Sequence, residues 1–121
     1  MKRAAKKIAG LVLRYKFQFD NEKDLQHGLE LVFAKEAGVG FRREVPLTKA
    51  DIVDFLFDDG VAVEVKVKGS WPLVLRQLLR YAECAEVKAV VLVTSKIRLG
   101  ILPTLLRGKP LAVAALWKSF L

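Results

Sequence analysis

The stretch Asp51-Ile52-Val53-Asp54-Phe55-Leu56-Phe57-Asp58-Asp59-Gly60-Val61-Ala62-Val63-Glu64-Val65-Lys66-Val67 decides the reading of the fold. Segments rich in Val, Ile and Phe flank Asp58-Asp59-Gly60, which predicts a β-hairpin with strands over 51–57 and 61–67. A three-residue loop with glycine in the left-handed position is a common hairpin connection. In that register Phe57 faces Val61, Leu56 faces Ala62, Phe55 faces Val63, and Asp54 faces Glu64. Opposed residues point to one side of a sheet, about 4.5–5.5 Å apart, and Lys66, two residues beyond Glu64, points there as well. The other side carries Phe55, Phe57, Val61, Val63, Val65 and Val67, an apolar core face. This alternation selects Asp54 over Asp51, which would fall on the apolar side or at a fraying strand start. A two-residue Asp59-Gly60 turn would instead oppose Asp54 to Val65.

Upstream, residues 3–15 have helix-forming composition, with Ile8, Leu11, Val12 and Tyr15 at helical spacing. Asp20 or Asn21 can cap a second helix running to about Ala37, with Glu22, Lys23 and Asp24 in its first turn and Gly38 past its end. Its stripe is Leu25, Leu29, Val32 and Phe33, with Leu31 beside it. Residues 40–47 read as a strand. Downstream, 71–84 is helical with Leu75, Leu78, Leu79 and Ala82 inward, and 88–94 is an apolar run typical of a strand buried on both faces. A short helix is expected over 101–106, interrupted by Pro103, before a last strand at 111–116. The order predicts an α/β fold: a mixed central sheet with helices on both faces. The crossover helix sets strand 88–94 parallel to strand 61–67.

A chain of 121 residues suits a single domain: a basic N-terminal helix over 1–19, a core over 20–95, and a C-terminal helix and strand over 96–121. Apolar content of 53% is high for so small a domain and suggests that a homodimer hides part of it. Leu116, Trp117 and Phe120 look like core or dimer contacts. With Cys84 the lone cysteine and His27 the lone histidine, neither an internal disulfide nor a Cys/His zinc cluster can form, and a reducing, cytoplasmic setting is expected. The apolar run 8–13 is too short for a signal peptide, and no stretch reaches the roughly 18 apolar residues of a membrane span. No membrane association and no organic cofactor are expected.

Net charge is +8, unevenly spread. Residues 1–19 hold six Lys/Arg and no acid, residues 69–121 eight against Glu83 and Glu86, while 20–68 hold eleven of the thirteen acids. An acidic middle bracketed by basic ends suits a polyanion gripped by its phosphates, although Lys and Arg also simply solvate helix faces. The pattern D-x9-E-x-K sits in that middle. Two facing carboxylates repel unless a cation neutralises them. Mg²⁺ takes hard oxygen ligands, and Asp54, Glu64 and the Val65 carbonyl would make a partial shell. The metal would acidify a bound water while Lys66 holds or activates it and stabilises the transition state. A surface ion pair at a strand end is the plainer alternative.

These residues and their neighbours resemble the PD-(D/E)XK nuclease superfamily, the restriction-endonuclease-like fold. The resemblance covers residues 20–95 and has four parts: a helix opening Asn21-Glu22-Lys23-Asp24-Leu25-Gln26, the Asp54 strand, the strand Val63-Glu64-Val65-Lys66, and a helix carrying Gln77 and Tyr81. Val53 stands where the family name has proline, and appended specificity domains are absent. The resemblance implies a Mg²⁺-dependent deoxyribonuclease, with Mn²⁺ able to substitute. It is expected to be an endonuclease acting as a homodimer on double-stranded or structured DNA, close to four-way-junction resolvases or phage-type repair nucleases. A non-catalytic nucleic-acid-binding module on the same fold is the alternative. Asp54, Glu64, Lys66 and Gln77 take catalytic positions, and Glu22 joins Asp54, Glu64 and Val65 as a metal ligand. Arg42, Arg43, Lys49, Lys68, Ser70 and Tyr81 are the expected nucleic-acid contacts. Glu22 could equally compensate the helix dipole, and Trp71 could stack on a base or pack.

Overall fold

The computed structural model describes residues 1–95 and 102–116. The hairpin forms as its turn dictates. Strands β2 (Ile52–Phe57) and β3 (Val61–Lys66) run antiparallel, with Phe55 opposite Val63 and Leu56 opposite Ala62. Gly60 turns at φ +95°, and a Cβ there would lie 2.5 Å from Lys88 Cγ, so both conformation and space require glycine. Strand β1 (Phe41–Pro46) pairs antiparallel with β2 on its outer side.

Helix α3 (Trp71–Ala82) carries the chain across to β4 (Ala89–Thr94), which is parallel to β3 with Lys66 beside Thr94. Beyond β4 lie β6 (Lys109–Ala115), parallel to it, and the two-residue β5 (Leu105–Leu106) at the edge. The result is an α/β fold with an open, mixed six-stranded sheet in the order β1-β2-β3-β4-β6-β5. Helices α1 (Lys2–Leu13) and α2 (Glu22–Glu36) cover one face and α3 the other, so the expected three layers are present. The Asn21 side chain caps α2 by accepting the Asp24 N–H at 2.9 Å, with Glu22 and Asp24 in the first turn.

The core under α1 and α2 gathers Phe33, Phe55, Phe57, Val61, Val63 and Val65, the apolar side of the hairpin. Phe33 packs edge-on against Phe55 and Phe57 at 5.1 Å between centroids. The core under α3 holds Leu56, Ala62, Leu78, Val90 and Leu92. Burial on both faces makes β4 apolar throughout; all six of its residues are buried.

Three expectations change. The C-terminal helix over 101–106 does not form among the described residues: Leu105–Leu106 are strand, turning into β6 through Arg107 and Gly108 at φ +51° and +78°. That is a two-residue hairpin turn with both central residues left-handed, and Pro103 just before it discourages helix. On α3 the buried residues are Val74, Leu78, Tyr81 and Ala82, while Leu75 and Leu79 are only partly covered. Strict alternation also breaks inside β2. Val53 belongs to the α3-side core but Phe55, two residues on, to the opposite one, and across the pair Glu44 adopts φ +51°. Asp54 sits at that break. Trp117 and Phe120 lie outside the described residues.

Candidate active site

The backbone ladder of the hairpin gives way to side chains one step beyond Phe55 and Val63. The Val65 N–H donates to Asp54 Oδ2 at 2.7 Å, and the Asp54 N–H donates to Glu64 Oε1 at 3.3 Å. Each carboxylate therefore holds a backbone amide of the opposite strand, which locks both acids toward one another. Glu64 is only 3% exposed and Asp54 half-buried. Lys66 Nζ stands 3.3 Å from Glu64 Oε2, and the lysine side chain remains a quarter exposed. The three residues that the hairpin register brings to one side are thus in contact.

Burial and mutual repulsion work against ionising both acids. Burial pushes the Glu64 carboxyl up to about 8, with the neighbouring Asp54 charge adding to it, and Lys66 and the Tyr81 hydroxyl acting in the opposite sense. Asp54 is raised as well, first by burial, against the opposing Val65 N–H bond. A cation among these oxygens would relieve both costs.

Tyr81 completes the arrangement in a way the sequence reading did not anticipate. Expected to touch nucleic acid, it is fully buried, and its hydroxyl lies 3.1 Å from both Glu64 Oε2 and the Ile52 carbonyl. A phenol with no exposed surface cannot meet a polyanion; it holds Glu64 from below. The signal was its place in the α3 stripe with Leu78 and Ala82. Gln77, one turn earlier, is partly buried on the same helix. Thr94 was also missed. It is fully buried beside Lys66 in the parallel register, the polar end of an otherwise apolar strand.

Glu22 reaches the site from α2. Its Oε1 accepts the Val67 N–H at 3.0 Å, anchoring the helix start to the chain just past Lys66. Its charge is felt at Asp54. Among the described residues, however, no three His, Cys, Asp or Glu side chains converge into a metal-holding group. Glu22 Oε1 is engaged by the Val67 N–H just past β3, and Glu22 does not form such a group with Asp54 and Glu64. The donor set left for a cation is two carboxylates and the Val65 carbonyl, all hard oxygens, which suits Mg²⁺ or Mn²⁺.

The basic residues divide. Lys68 and Ser70 are exposed just past β3, and Lys49 is exposed in the β1–β2 turn at the same end. Arg43 instead donates to Glu30 at 2.6 Å and to Gln26 at 3.1 Å and stacks 4.7 Å over Phe55, so it is spent inside the fold. Arg42 pairs with Leu56, away from the acids, and meets Glu86 at 3.8 Å. Trp71 packs against the α3-side core, and His27 is exposed on α2.

Asp51 forms a separate polar cluster. It is 2% exposed and takes two hydrogen bonds from Arg80, at 2.8 and 2.9 Å, and one from Thr48 at 3.1 Å. It neither frays nor joins the site.

No family model, curated protein or solved structure matches this chain. Among the described residues no helix is long and apolar enough to cross a membrane.

Proposed function

We propose that this chain is a metal-dependent nuclease hydrolysing phosphodiester bonds in DNA, an endonuclease built on a restriction-endonuclease-like core of the PD-(D/E)XK kind. One observation carries the reading: two facing carboxylates, Glu64 buried and Asp54 half-buried, with the Lys66 ammonium 3.3 Å from Glu64. Burying like charges together is costly, and a fold retains such a pair where a cation or reaction uses it. The α-β-β-β-α-β order and the acids at the opening of the hairpin support the assignment.

Asp54, Glu64 and the Val65 carbonyl would hold Mg²⁺ or Mn²⁺. Such an ion supplies charge neutralisation at the phosphate and a more acidic water. Lys66 then orients the attacking water and stabilises negative charge on the phosphoryl oxygens. Tyr81 and the Val65 N–H fix the two carboxylates, so that little reorganisation is needed when substrate arrives. Gln77 faces substrate from α3, and Lys49, Lys68 and Ser70 meet flanking phosphates. Cutting two strands would use two copies, which sedimentation with and without DNA would detect.

The decisive experiment incubates wild type, Glu64→Gln and Lys66→Ala with linear, nicked, flapped, single-stranded and four-way-junction DNA in Mg²⁺ or Mn²⁺. Cleavage by wild type, lost in both variants with DNA binding kept, is expected. Binding without cleavage of any substrate would sink the proposal.

A second reading, a non-catalytic nucleic-acid-binding module, draws on a specific feature. Glu64 is already engaged by the Asp54 N–H, Tyr81 and Lys66, a network that could persist as a structural element. It predicts that Mg²⁺ leaves the melting temperature unchanged.

A further inference from the structure

A second feature lies at the same end of the sheet, on the side covered by α1 and α2. The connection from α1 to α2 reads Arg14-Tyr15-Lys16-Phe17-Gln18-Phe19, alternating polar and aromatic residues. With Leu13, Ala115 and Leu116, residues 15–19 wall a cavity of about 530 Å³, within the range of small-molecule sites. Among the described residues no acidic one lines it.

We propose that this cavity is a subsite for an unpaired nucleobase, so that the substrate carries a single-stranded segment beside the bond at the acids. The inference rests on the reading above for the class of substrate and adds to it a structural preference.

Its rings are held in place. The Tyr15 hydroxyl donates to Glu36, and the Phe17 ring lies so close to α2 that a Cβ on Gly28 would sit 2.9 Å from its Cδ1. Tyr15 and Phe17 are 6.4 Å apart and inclined by 45°. All three aromatics are half-buried, packed on the core yet lining the cavity, while Arg14, Lys16 and Gln18 are exposed between them. Aromatic faces that take bases of any sequence, interleaved with cations for the phosphates, are the general means of holding single strands.

Position links the cavity to the acids. Register sets Lys66, Thr94 and Ala115 in one row across three parallel strands, and the Leu116 N–H donates to the Thr94 carbonyl at 2.7 Å. Two strand spacings separate Lys66 from the cavity wall, about 10 Å. The side chains of Glu64 and Lys66 point to the α3 side and the cavity opens on the other, so a strand crossing the strand ends would touch both. A continuous duplex presents no unpaired base there, whereas a flap, frayed end or opened junction does.

The test measures anisotropy of a labelled oligothymidylate and a matched blunt duplex in EDTA, where nothing is cut. Wild type is compared with Phe17→Leu/Phe19→Leu, which keeps apolar volume but removes the flat faces, and with Lys16→Ala at an exposed position. Thermal unfolding confirms that each variant folds. Single-strand affinity is expected to fall about tenfold or more in the ring variant and a few-fold in Lys16→Ala, with duplex affinity changed less than twofold. Unchanged single-strand binding in the ring variant, or an equal loss on duplex, overturns the proposal. So does a protein that binds single strands only after residues 117–121 are deleted, since the chain's own Trp117 and Phe120 would then be the occupants. Cleavage in Mg²⁺ judges the nuclease reading and binding in EDTA judges this one, so either can fail alone.

Discussion

Two acidic clusters begin three residues apart, at Asp51 just before β2 and at Asp54 within it, and they behave in opposite ways. Asp51 is as buried as Glu64, yet the paired Arg80 hydrogen bonds, with Thr48 assisting, hold its carboxyl below the usual carboxylate range despite its burial. Asp54 and Glu64 face each other with one partly exposed lysine beside Glu64, and both are pushed up. Burial alone therefore does not separate a structural acid from a functional one. Compensation does: Asp51 closes the β1–β2 turn onto α3 with its charge matched, whereas ionising both Asp54 and Glu64 would place more negative charge there than Lys66 neutralises.

The largest effect expected from this contrast is on activity. Glu64→Gln should lower cleavage by about 10²–10³-fold or more while leaving the urea midpoint equal or higher, because an amide ends the like-charge repulsion. Asp51→Asn should do the reverse, keeping cleavage and lowering the midpoint. Equal stability losses in both would erase the distinction.

Next in size is a pH dependence of opposite sign at Glu64 and at Asp51. Glu64 binds its proton more tightly folded than unfolded, so its stabilising contribution is complete below the ordinary glutamate value and declines as pH rises towards about 8. The slope should not exceed about 1.4 kcal/mol per pH unit for one proton. Asp51, held low, contributes above the ordinary aspartate value and loses that contribution as pH falls through its lowered one. Denaturation without metal, followed from about pH 2 to 9, should show Glu64→Gln flattening the decline between the ordinary glutamate value and about 8, and Asp51→Asn flattening the acid limb below the ordinary aspartate value. Mg²⁺ should raise the melting temperature more at pH 8 than at pH 6, and not in Glu64→Gln.

The smallest effect concerns the shared support. Tyr81→Phe should cost about 1 kcal/mol in urea titration and slow cleavage without abolishing it, since Glu64 keeps its Asp54 N–H bond. A full loss of cleavage would move Tyr81 from positioning Glu64 to contacting substrate.

Much of this was legible along the chain because it is local. A glycine in a three-residue turn sets the hairpin register, and the register decides which side chains share a side; Glu64 and Lys66 meet as the alternation required, while Asp54 meets Glu64 at the break in β2, through exchanged backbone amides. Buried strand β4 and capped helix α2 followed from apolar continuity and Asn21 for the same reason. The basic residues were less legible. Arg43 looked available until α2 packed Glu30 and Gln26 against it, and Arg42 had no readable distance from the site until β1 was paired.

Sequence alone determined β1 to β4, the antiparallel hairpin, the parallel setting of β4 and the identity of the facing acids, since short-range periodicity and turn chemistry specify those; the edge strand β5, read as helix, was not among them. Tertiary structure decided which acid is neutralised and which is not, that Tyr81 lies beneath Glu64, that Glu22 ties α2 to β3, and that the aromatic connection stands in line with Lys66. Those depend on elements far apart in the chain coming together, and on the local dielectric and partners that only packing creates.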